Sequence, residues 1–141
     1  MTTKRELIMR QIVSVLTPTL GVAQRVYRSR VVALQRSETP AILIAPEGDT
    51  ASQETSLPTL DHTLTVGVSV VVRGEVPDKL ADDIVEDAHS RLMSDLSLSG
   101  NAIDIQPGNT TFELIDADQP GGIITTNYLV RYRTQVSDLS Q

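Results

Sequence analysis

Apolar residues recur along this chain with two periods, and the changes of period mark its elements. Leu7, Ile8, Ile12, Val15 and Leu16 fall at helical spacing, with Lys4, Arg5 and Arg10 mainly outside that stripe. Residues 3–16 are therefore predicted as an amphipathic helix. Thr2 or Thr3 with Glu6 offers a capping box at its start, and Pro18 and Gly21 end it. Residues 25–30, RVYRSR, alternate: Val26, Arg28 and Arg30 point one way and Arg25, Tyr27 and Ser29 the other. This is a short strand or extended segment with arginine on both sides. Residues 32–40, VALQRSETP, read as a turn of helix or a loop, and AILIAP, 41–46, as a compact apolar strand that Pro46 ends.

The clearest period-two segment is LDHTLTVGVSVVVR, residues 60–73. Leu60, His62, Leu64, Val66, Val68, Val70 and Val72 share one face, and the opposite face is half polar, which predicts a long strand with one buried side. Gly74 breaks it, and Pro77 and Asp78 open a second helix whose apolar stripe is Leu80, Ala81, Ile84, Ala88, Leu92 and Leu96. Residues 102–106 and 110–115 read as two strands around a PGN turn, and DADQPGG, 116–122, as a second turn. Residues 123–134 form the other long strand, with Ile124, Thr126, Tyr128, Val130 and Tyr132 inward. The tail SDLSQ reads as frayed. The order lacks regular βαβ alternation. It predicts a single α+β domain over 1–141: a mainly antiparallel sheet with two helices packed on one face.

One segment stands outside this pattern. EGDTASQETSLPT, residues 47–59, is polar apart from Ala51 and Leu57. A free loop of this length is uncommon in a compact domain. The expectation is that a neighbouring subunit orders it, with Glu47, Asp49 and Glu54 as candidate interface acids.

Composition narrows the chemistry. The chain has 141 residues, enough for one domain with one sizeable core. One Phe, three Tyr and no Trp leave few flat rings for stacking bases or sugars. The absence of Cys excludes disulfides, thiolate zinc sites and a cysteine nucleophile. The basic and then apolar start, MTTKRELIMRQIVSVL, is interrupted by Arg10, Gln11 and Ser14, so an amphipathic helix is expected there rather than a signal peptide, and the protein is expected to work in a cytoplasm. No apolar run approaches the ~20 residues that cross a bilayer. The net charge of −6 is uneven: residues 1–36 sum to +6 and the remainder to −12. Such a split suits head-to-tail association between copies; the alternative is that the charges mix on folding.

The stretch EDAHSRL, 86–92, raises a catalytic question, because Glu86-x-x-His89 is the helical spacing used by di-metal carboxylate proteins. Asp82, Glu86 and His89 share a helix face, but the apolar stripe lies opposite, and the first helix offers only Glu6. A solvated or interface face is the expectation, with a small metal-dependent enzyme as the competing reading. Asp61 and His62, neighbours in a strand, point to opposite faces, so no acid–base pair is expected there. No Gly-x-Ser-x-Gly elbow or phosphate loop is present. No cofactor is expected. Arg28, Arg30, Arg131 and Arg133, at period-two spacing on strands, form a candidate ladder for acids of another subunit, for nucleic-acid phosphates, or for solvent alone. The acidic total argues against a dedicated DNA-binding module.

Several segments, in order, resemble the lambda-like tail terminator group among the minor tail proteins of long-tailed phages. They are VYRSRVVAL (26–34), TPAILIAPEGD (39–49), LDHTLTVGVSVVVRGEVPDKLAD (60–82), HSRLMSD (89–95) followed by Gly100, AIDIQPG (102–108) and ITTNYLVRYRT (124–134). The resemblance implies an α+β subunit of a six-membered ring, assembled in the bacterial cytoplasm, on the head-proximal end of the tail tube in the virion. It implies the tail tube protein and the head connector or neck proteins as partners. It also implies a lumen through which DNA passes without specific binding, with Asp116 and Asp118 as candidate lining acids. A tail-completion or head–tail joining protein is the close alternative.

Overall fold

The structure is a computed structural model that describes residues 2–116 and 119–141. The order is α1 (Lys4–Leu16), β1 (Val26–Arg28), a single 3-10 turn (Arg36–Glu38), β2 (Ala41–Ser52), β3 (Thr59–Arg73), α2 (Pro77–Met93), β4 (Asp104–Ile115) and β5 (Gly121–Gln135). The strands form one sheet in the order β1-β2-β3-β5-β4. Every pairing is antiparallel except β1 with β2. Both helices pack on the same face, so the α+β architecture is the one the residue pattern predicts.

The core follows from alternation. On β3 and β5 the pairs Leu64–Val130, Val66–Tyr128, Val68–Thr126 and Val70–Ile124 face the helices and are buried. Ile8, Met9, Ile12 and Leu16 of α1 and Ala81, Ile84, Ala88 and Leu92 of α2 close over them. Each large aliphatic side chain so buried contributes roughly 1.5–3 kcal/mol. The α1 stripe is rotated from the expected one: Met9 is buried, while Leu7 and Val15 are half-buried. Thr3 caps α1 by accepting from the Glu6 backbone amide at 3.1 Å. Its reciprocal partner does not return, because the Glu6 carboxylate turns to arginines instead. On α2, Leu80 stays half exposed, and Leu96 lies beyond the helix end and is likewise exposed.

Three segments differ from expectation, and proline accounts for two of them. β2 does not stop at Pro46 but runs on to Ser52, pairing with β3 down to Asp61. β1 covers only Ile42–Ile44, so beyond that point the outer edge of β2 has no partner strand among the described residues, and a missing N–H leaves no ladder partner unsatisfied. A β-bulge between Pro46 and Gly48 absorbs the irregularity. The polar stretch 47–59 is therefore mostly strand rather than a loop, ordered by this chain's own β3, and only residues 53–58 remain as a connection. Likewise Pro107–Gly108–Asn109 is not a turn between two strands. It is a bulge inside one continuous edge strand, β4. The C-terminal tail is tied down: Lys4 N–H donates to the Leu139 carbonyl at 2.9 Å.

The bulges also reset which residues face the helices. In β2, Ile42 and Ile44 face them before the bulge, and Asp49, opposite Leu64, faces them after it. In β4, Ile105 faces them before the bulge, and Thr110 and Phe112, opposite Thr126 and Ile124, after it.

Candidate assembly surface

The four arginines do not form one ladder. Ser29 adopts a positive φ of 51° and ends the alternation after Arg28, so Arg30 lies outside β1. Arg28 turns to the helix layer and donates two hydrogen bonds, both 2.7 Å, to the two carboxylate oxygens of Glu6. Arg10, one turn along α1, adds a third at 3.0 Å. The Arg28 guanidinium, helped by Arg10, holds the Glu6 carboxyl down at about 2. Arg30 grips Glu38 with bonds of 2.7 and 2.9 Å, lies over the Tyr27 ring at 4.6 Å, and donates to the carbonyls of Val32 and Ala33. It clasps the irregular segment that follows β1 against the 3-10 turn. Arg131 and Arg133 lie on the opposite, helix-free face, where Arg133 meets Asp61 at 2.7 Å and Arg131 lies 3.7 Å from Asp104. Both remain more than half exposed, at 58% and 56% of their side chains.

The three candidate acids of the supposed loop have three different surroundings. Glu54 is exposed in the β2–β3 connection and accepts from the Ser52 hydroxyl. Glu47, at the bulge, lies over Gly67 on the helix-free face: a Cβ added there would meet its Oε1 at 2.5 Å. Asp49 is drawn inward. It accepts from Arg5 Nε at 2.7 Å and from the Tyr132 hydroxyl, and its Oδ1 lies 3.2 Å from His62 Nδ1. His62 stacks on Tyr132 with ring centroids 4.4 Å apart and reaches the Thr134 hydroxyl at 2.9 Å. Burial pushes the Asp49 carboxyl up, but the hydrogen bonds from Tyr132, Arg5 and His62 outweigh it and hold the group below the usual range. Burial, and then the hydrogen bond to Asp49, push the Tyr132 phenol up to about 12. Asp49 is thus an internal clasp joining α1, β2, β3 and β5. The pattern 47–59 gave no sign of it, because the bulge decides which way residue 49 points.

Asp82 and Glu86 are exposed on α2, as expected, but His89 is half-buried and places Nδ1 3.1 Å from the Tyr128 hydroxyl. Burial raises that hydroxyl to about 12, so it is protonated at neutral pH. Among the described residues, no group of three His, Cys, Asp or Glu side chains is placed to hold a metal ion. These residues instead form the rim of a cleft between α2 and the edge strand, floored by Val85, Pro107, Thr126 and Tyr128. A second cleft continues toward the start of α2, lined by Asp78, Phe112, Glu113, Leu114 and Ile124.

That groove was not expected. α2 lies over β3 and β5, and most of β4 beyond Ile105 is left uncovered. Phe112 is 66% exposed and Leu114 75%. The alternation of 110–115 predicts a strand with one apolar face but carries no information on where the helix layer above it stops. At the other edge of the sheet, Val31 and Val32, just after β1, are 97% and 69% exposed. Asp116 is exposed just past the end of β4, and Asp118 lies outside the described residues. No helix among the described residues is long and apolar enough to cross a membrane.

No protein-family model matches the chain, and no curated protein matches its sequence significantly.

Proposed function

We propose that this protein is a structural subunit of a phage tail, forming a ring that caps the head-proximal end of the tail tube. The observation that carries the reading is the open edge of the sheet. β4 is twelve residues long, has no partner strand on its outer side among the described residues, and bears Phe112 and Leu114 exposed beside a groove. Pro107 and its bulge blunt the first half of this edge, but the stretch from Thr110 to Ile115 keeps exposed apolar residues on an edge that can template another chain. The order of segments resembling the tail terminator group supports the same reading, whereas the charge of the two halves partly mixes on folding through Arg5–Asp49 and Arg30–Glu38.

In this account the ring binds the last ring of tube subunits and offers the next one no matching surface, so growth stops by competition for an interface. Its other face docks to the head connector. A net charge of −6 favours a lumen that repels DNA phosphates and lets the genome slide through; Asp116 is a candidate lining residue. Arg131 and Arg133, half free on the helix-free face, are candidate contacts for the partner rings.

The test is the length of tail tubes polymerised from purified tube protein with and without this chain. Tubes that stop at a shorter length in proportion to the added chain support the reading. An unchanged length distribution contradicts it.

A further inference from the structure

We infer that copies of this chain join head to tail, with residues 31–34 of one copy lying along the β4 edge and the α2–β4 groove of the next. The inference rests on the ring reading for the premise that copies associate, and adds which surfaces meet. Four observations carry it. First, the two surfaces lie at opposite ends of the sheet order β1-β2-β3-β5-β4, so joining them propagates from copy to copy. A heterologous contact of this kind closes into a ring when the rotation between copies allows it.

Second, both surfaces are apolar and uncovered within one copy. Val31 and Val32 are the most exposed valines of the chain, and Ala33 is exposed beside them. Phe112 and Leu114 line the receiving groove. In an added strand, Val31 and Ala33 point to one face and Val32 and Leu34 to the other, so either register places an apolar pair over the groove.

Third, the backbone is prepared on both sides. Residues 31–34 belong to no helix or strand, and the Arg30 clasp on Glu38 and the carbonyls of Val32 and Ala33 fixes where the segment leaves the sheet. After the Pro107–Thr110 bulge, β4 presents N–H and C=O groups along its outer side that no strand among the described residues pairs.

Fourth, charge selects this pairing over the symmetric one. The groove has an acidic rim of Asp78, Asp82, Glu86 and Glu113, and no basic residue lines it. Residues 26–38 hold three arginines and one acid, but Arg28 and Arg30 are already paired with Glu6 and Glu38. Of these, Arg36 is exposed and makes no ion pair among the described residues. Two β4 edges paired about a twofold axis would bring two acidic rims together, and like charges across an interface oppose association.

The chain has no cysteine, so introduced pairs report cleanly. Val32→Cys and Leu114→Cys both change exposed side chains, and neither disturbs the core. Each variant alone, and the two mixed in equal amounts, are oxidised as concentrated protein and on tail tubes, with electron microscopy of the same samples. The expected result is a disulfide-linked dimer at least ten times more abundant in the mixture than in either variant alone. The double variant should give a covalent series ending at one closed size. Self-linking of Leu114→Cys would show β4 edges meeting symmetrically and overturn the inference. Rings on tube ends with no disulfide in any sample would place the interface elsewhere, overturning the inference while sparing the ring reading. The mixed disulfide with bare, still-growing tubes would keep the inference and remove the tail reading. Neither rings nor disulfides would remove both.

Discussion

Arg28 and Glu6 form a two-pronged ion pair, each guanidinium nitrogen 2.7 Å from one carboxylate oxygen, that ties β1 to the first helix. The arginine expected to face another subunit is therefore half of an internal brace. Substituting Arg28→Ala should lower the thermal midpoint of the isolated chain. A variant that loses assembly while keeping its midpoint would instead assign Arg28 to an interface.

The same pair makes stability acid-sensitive. Glu6 is held at about 2 in the folded chain and returns to roughly 4.3 when unfolded. A depressed carboxyl contributes stability that is fully present above the unfolded value and is lost as pH falls toward the folded one. Denaturant titrations from about pH 5 down to about pH 2 should therefore show a shallower acid loss in Glu6→Gln than in the parent chain. Parallel pH profiles would contradict this.

Asp49 has more partners than any other carboxylate described. Asp49→Ala leaves the Tyr132 hydroxyl and the His62 ring without their acceptor in a largely buried setting. The expected loss is about 2–3 kcal/mol by urea denaturation. Glu54→Ala, at an exposed position in the same polar stretch, should stay within about 0.5 kcal/mol. Equal effects would mean that the cluster is not a clasp.

Two glycines should respond in opposite directions. A Cβ at Gly122 would meet Pro77 Cβ at 2.6 Å and the Glu113 carbonyl at 3.3 Å, so Gly122→Ala must push the first turn of α2 off the sheet. A loss of roughly 1–3 kcal/mol follows from such overpacking. At Gly48 an added Cβ meets nothing within 4 Å. Gly48→Ala should be neutral or gain about 0.4–1 kcal/mol by restricting the unfolded chain.

The metal question has its own measurement. Titration calorimetry with zinc or manganese should show no stoichiometric binding, since His89 is engaged with the Tyr128 hydroxyl and no three-ligand group is assembled among the described residues. Stoichiometric binding that disappears in His89→Ala would favour the enzyme reading.

Much of this was legible in the residues. The two long strands, both helices and the inward set on β3 and β5 follow from apolar periods of 2 and 3.6, because burial of one face is what those periods encode. What escaped was decided by geometry that a period does not carry. Pro46 and Pro107 looked like strand ends, yet each sits on an open edge where its missing N–H costs nothing and a bulge restores the pairing. Each bulge then reverses the parity of every residue after it. That is why Asp49 faces the core cluster and Phe112 the groove, against a simple count. The partners of Arg28 and Arg30 were equally hidden, since Glu6 lies 22 residues from Arg28 and Glu38 sits behind a turn that Ser29 begins.

The most direct measurement is electron-microscope class averaging of tail tubes mixed with the purified protein. The account predicts a ring seated on one end only of each tube, with growth stopped at that end. Bare ends on tubes that continue to lengthen would contradict it.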